Sequence, residues 1–154
     1  QNAKKFYNNI SVVKDALTAF KAGGVTAMHD PTEGGVSGGI HEMADASNLG
    51  VKILKEKILV QHETAEICKF FKIDPLQLIS SGALLISAKP EFANKIIESL
   101  KQQKIYASII GEFSKDLHER TITGKDKKIQ ALPRPLSDHL WLALLRRQIP
   151  RILV

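Results

Sequence analysis

The chain has 154 residues, 44% of them hydrophobic, one cysteine and a formal net charge of +6. That length fits one domain with a real core and excludes a complete multidomain enzyme, and a lone thiol excludes an internal disulfide. No run of about eighteen apolar residues exists and the start, Gln1-Asn2-Ala3-Lys4-Lys5, is polar, so the expectation is no membrane span, no secretory signal and a cytoplasmic setting.

In chain order, Ile10, Val13, Leu17 and Phe20 fall on one face of a helix predicted over residues 11–22, which Gly23-Gly24 terminates. Val25-Thr26-Ala27-Met28 then reads as a buried strand, and Val36, Ile40, Met43 and Ala44 recur at helical spacing beyond it. Between them lies His29-Asp30-Pro31-Thr32-Glu33-Gly34-Gly35-Val36-Ser37-Gly38-Gly39. A strand that enters a helix through several glycines is built for close approach to backbone. The first amides of a helix lack intrahelical acceptors and its dipole favours negative charge, so Gly34, Gly35, Gly38 and Gly39 are candidate amide donors to a phosphate. Glycines also serve tight turns and close helix–strand packing, and no Gly-Lys-Ser/Thr follows to make a Walker loop.

Asn48-Leu49-Gly50 signals a helix stop, and Val51-Lys52-Ile53-Leu54 an alternating strand. Residues 62–71 read as a helix with Ile67, Phe70 and Phe71 inward, where Cys68 is a packed thiol. Asp74-Pro75 opens a further turn carrying Leu76 and Ile79. Residues 83–88 suit a central strand. Pro90 opens a helix with Ala93, Ile96, Ile97 and Leu100 buried, and residues 105–113 return as a strand. Strand, helix, strand, helix, strand is the rhythm of an α/β sandwich. A hairpin follows over residues 120–123 and 128–132 across Gly124-Lys125-Asp126. Ser137 is the expected cap of a last helix bearing Leu140, Trp141, Leu144 and Leu145, with Pro150 as its stop. The lysines are scattered without an aromatic-plus-basic motif, which reads as solvated surface and not as a nucleic-acid face. The simplest division is a domain over 1–132 with a helical extension over 133–154.

Asp30, at a strand end beside the glycines, suits a magnesium contact or the orientation of a reacting group; as the residue before Pro31 it equally suits a helix cap. Thr32 can donate its hydroxyl to a phosphate oxygen or close a local turn. His29 is a candidate for proton transfer or substrate contact, against a structural role at the strand end. His41-Glu42 invites acid/base or metal readings, but a zinc-protease signature needs histidine where Asp45 stands.

Five segments carry a family resemblance: Val-Thr-Ala-Met-His-Asp-Pro-Thr-Glu-Gly-Gly from Val25, His41-Glu42-Met43-Ala44, Ala46-Ser47-Asn48-Leu49-Gly50-Val51, Ile73-Asp74-Pro75-Leu76, and Ala107-Ser108-Ile109-Ile110-Gly111-Glu112. The chain resembles the C-terminal domain of the AIR synthase (PurM)-related superfamily, nearest to the hydrogenase-maturation HypE family and its archaeal relatives. The resemblance implies a three-layer α/β/α sandwich with a mixed sheet of partly ferredoxin-like topology. It implies an ATP- and Mg²⁺-dependent enzyme whose N-terminal domain carries most of the nucleotide site and the homodimer contact, while the C-terminal domain closes its glycine loop over the phosphates. Two departures stand out. The terminal Pro150-Arg151-Ile152-Leu153-Val154 lacks the cysteine on which that family builds its cyanide precursor, and Glu33 replaces the family's arginine with a charge that repels phosphate. A relative with another substrate is the expectation, and a noncatalytic interaction module is the alternative.

Overall fold

The computed structural model describes residues 2–147. The expected stop at Pro150 and the whole of residues 150–154 lie outside them. The elements run α1 (Val13–Ala22), β1 (Val25–His29), α2 (Gly35–Ser47), β2 (Gly50–Leu54), α3 (His62–Phe71), β3 (Leu85–Ala88), α4 (Pro90–Gln102), β4 (Gly111–Ser114), β5 (Arg120–Thr123), β6 (Ile129–Ala131) and α5 (His139–Arg147). The strands divide between two sheets. β1 pairs antiparallel with β3, and a mixed sheet runs β4-β2-β5-β6, with β2 antiparallel to β4 and parallel to β5. This is the mixed α/β architecture the sequence implies. Among the described residues no helix is long and apolar enough to cross a membrane.

Two cores hold the elements. One gathers Ile40 and Ala44 of α2, Val51 and Ile53 of β2, Leu76, Leu85, Ile122 and Leu132, with Val36 and Met43 packed against them. The other joins Ala19 and Ala22 of α1 to Ile96 and Leu100 of α4, over Val25, Met28, Ile86 and Ala88. Leu85 and Ile86, neighbours on β3, enter different cores, as the two-residue period of a strand requires. α2 ends where expected: Asn48 adopts the left-handed conformation at φ 56°, and the Leu49 amide donates to the Ala44 carbonyl at 3.0 Å.

Several inward faces read from the sequence are turned outward. Ile10, Val13, Leu17 and Phe20 are exposed, Phe20 at 70%, because α1 meets α4 through its alanines, whose small side chains let two backbones close. On α3, Cys68 is buried while Ile67 and Phe70 face solvent, and Ile79 is likewise exposed. β1 is not buried throughout, since Thr26 and Ala27 are exposed on a two-stranded sheet. Among the described residues β3 pairs with β1 alone and so is not a central strand of a larger sheet. The strand expected over 105–113 is regular only from Gly111 to Ser114, although Ile105 and Ala107 still pack on the α1/α4 core. Leu100→Ala should therefore cost about 2–5 kcal/mol in denaturant unfolding, whereas Phe20→Ala should cost under about 1 kcal/mol. Equal losses would contradict this assignment of the α1 face.

Candidate anion site at the glycine turn

β1 delivers His29 to the turn, and the chain then bends through residues 30–34 before α2 begins at Gly35. Gly34 (φ 78°) and Gly35 (φ 64°) occupy left-handed backbone. Gly35 also passes so close to the Leu76 and Leu78 carbonyls that a β-carbon there would lie 2.7 Å from the former and nearer still to the latter, so both positions call for glycine. Asp30 does not cap α2, because the helix starts four residues beyond Pro31. Gly34 is the N-cap, and no side chain of the turn satisfies it.

The expectation that these glycine amides stand open is corrected by where their bonds go. The Gly35 amide donates to the Thr32 carbonyl at 3.0 Å and the Gly38 amide to the Gly34 carbonyl at 3.1 Å. The Gly34 amide donates at 2.8 Å to Oδ2 of Asp138, a residue only 2% exposed. Gly39, inside α2, allows packing: a β-carbon there would meet Pro31 at 2.7 Å and His29 Cδ2 at 2.9 Å. The amides of Val36 and Ser37, next in the first turn of α2, find no acceptor among the described residues.

What closes the turn is a strap, residues 132–138, laid along α2. Ser37 Oγ donates to the Pro133 carbonyl, His41 Nε2 bonds the Leu132 carbonyl at 3.2 Å, and Pro135 stacks over the Cα faces of Gly34 and Gly38. Arg134 reaches Asp45 at 2.7 Å, and Arg120 of β5 holds the other Asp45 oxygen at 3.1 Å. The Arg120 hydrogen bond, followed by that of Arg134, keeps the Asp45 carboxyl below its usual range. The cap of α5 is Asp138 and not Ser137, since Asp138 Oδ1 accepts from the Leu140 amide at 2.7 Å. Sequence reasoning overlooked Asp138, Pro135, Arg134 and Arg120. Ser137 marked a helix start there, but nothing local could show a partner about a hundred residues away.

The remaining candidates lie on the outer side of the turn. Asp30, Thr32 and Glu33 are exposed, and His29 Nε2 pairs with Glu42 Oε2 at 2.6 Å. Among the described residues no three histidine, cysteine or acidic side chains gather into a metal group. Asp30 stands at the turn as a single exposed carboxylate. Cys68 is buried, and that burial pushes its thiol up, away from nucleophilic use. Trp141, on α5, is more than half exposed.

An α/β domain with a strand–glycine turn–helix at its centre is what the geometry defines. The family described as AIR synthase related protein, C-terminal domain, matches residues 7–123, and the chain belongs to that family. A Methanocaldococcus jannaschii protein named for hydrogenase expression and formation is 35% identical over 94 residues, covering 60% of this chain and 28% of that protein. The crystal structure of Escherichia coli HypE, a hydrogenase maturation protein, superposes with a TM-score of 0.74 at 25% identity, covering 86% of this chain and 41% of that one. A HypE structure in complex with ATP superposes with a TM-score of 0.67 at 22% identity over 75% of this chain and 37% of that one, a likeness of fold. The chain thus spans less than half the length of these relatives.

Burial holds His41, 4% exposed, below its usual value of 6.5, and Arg134 and Arg120 act in the same direction; the Leu132 hydrogen bond opposes them. The unfolded chain therefore takes up this proton first as the pH falls. The stability tied to a neutral His41 is intact above about pH 6.5 and declines below it, down to the depressed folded value. The urea midpoint should fall between pH 7.5 and 5.5, and His41→Gln should reduce that fall; an identical fall in the variant would contradict the assignment.

Proposed function

We propose that this chain is the phosphate-facing C-terminal portion of an ATP-using enzyme of the AIR synthase/HypE kind, acting with an N-terminal nucleotide-binding portion in a homodimer. The observation that carries this reading is the carboxylate at the Gly34 amide: the turn between β1 and α2 accepts an anion, and the anion it now holds belongs to the protein itself. The Val36 and Ser37 amides give a phosphate two further donors once the strap yields. Thr32 supplies a hydroxyl at the mouth, and Asp30 a carboxylate for magnesium carried in with the triphosphate. The family membership and the ATP complex of a like-folded HypE support the nucleotide. Hydrogenase maturation is the biological setting suggested by the relatives' names, while Glu33 at the mouth argues for an acceptor other than that of HypE.

A second reading, a noncatalytic docking module, is favoured by the exposed Val13, Leu17 and Phe20 stripe on α1. One experiment separates the two. ATP-Mg²⁺ is titrated into the natural polypeptide that carries this chain while the amides of residues 32–39 are followed by NMR. The enzyme reading predicts progressive shifts centred on Val36 and Ser37. Undisturbed amides at millimolar ATP, together with a mass that rises with concentration in light scattering, would overturn it in favour of docking.

A further inference from the structure

We propose that Glu42 is a positioning residue for His29, fixing that imidazole as a proton acceptor through Nδ1 on the outer face of the glycine turn; this rests on the ATP-using reading. His29 is the last residue of β1 and Glu42 lies two turns into α2, yet Nε2 and Oε2 are 2.6 Å apart. An ionised carboxylate can only accept, so the shared proton sits on Nε2, and in the neutral ring Nδ1 keeps its lone pair. The orientation of the ring follows from Gly39. A β-carbon there would come within 2.9 Å of His29 Cδ2, so the Cδ2–Nε2 edge lies against α2 and Nδ1 is on the edge turned away from the helix. Glycine inside a helix is costly, and here the space it leaves is filled by His29 and Pro31.

Exposed ion pairs add little to stability, and both partners are open to solvent, His29 at 34%. The chemical consequence of the pair is a chosen tautomer at a position a dissolved reactant can reach. In phosphoryl transfer, an O–H or N–H acceptor gives its proton to Nδ1 as its lone pair bonds the γ-phosphorus. The bond to the bridging oxygen breaks, with its electron pair leaving on ADP. Glu42 then faces an imidazolium, which later returns its proton to water.

The test uses the natural polypeptide, ATP with magnesium as the probe, phosphate release as one readout and the ring-nitrogen NMR shifts of labelled histidine as the other. The expected result is a neutral His29 protonated at Nε2 and a loss of turnover of about a hundredfold in His29→Gln. Glu42→Ala should lose about tenfold and yield mixed tautomers, and Gly39→Ala, which displaces the ring, should behave alike. A wild-type ring protonated at Nδ1, or a Glu42→Ala protein with mixed tautomers and unchanged turnover, would overturn the proposal while leaving the ATP reading intact. A wild-type protein that neither binds nor hydrolyses ATP would remove the reading beneath it, and the proposal with it.

Discussion

One carboxylate serves two helix N-termini. Asp138 accepts from the Gly34 amide at the start of α2 with one oxygen and from the Leu140 amide at the start of α5 with the other. Each terminus carries orphan amides and the positive end of a dipole, and a hydrogen bond to a charged group is worth about 1.5–3 kcal/mol. Because Asp138 is buried, these bonds are also what makes its charge tolerable away from water. The rest of the strap continues from this joint: beside α5, anchored at Gly34, Pro135 lies over the glycine faces of α2. The carbonyls of Leu132 and Pro133 then fall beside His41 and Ser37.

The local half of this arrangement was written in the sequence. The four apolar positions of α2 do face the core, Asn48 does end the helix, residues 62–71 do form α3, and the hairpin across Gly124 does close. These features depend on neighbours within a turn or two, which pattern can carry. The errors share one cause. A stripe of Val13, Leu17 and Phe20 shows that a helix has an apolar face, not what covers it, and the alanine side of α1 proved the better contact for α4. The candidate site was half legible for the same reason. The glycines signalled close approach, but close approach turned out to include the Leu76 and Leu78 carbonyls, Pro31, Pro135 and an aspartate about a hundred residues on.

Had the turn been filled by apolar groups, an anion would have no place there. It is filled by a carboxylate, whose hydrogen-bonding needs resemble those of a phosphate oxygen. The chain belongs to the AIR synthase related family, and its fold superposes on 41% of the longer HypE chain.

Amide hydrogen exchange at Gly34 tests the joint most directly. If the Asp138 carboxylate holds both helix starts, the Gly34 and Leu140 amides are protected in the wild-type protein and both lose protection in Asp138→Ala, while the Leu100 amide in the other core keeps its own. Fast exchange at Gly34 in the wild-type protein, or protection that survives the loss of Asp138, would contradict the account.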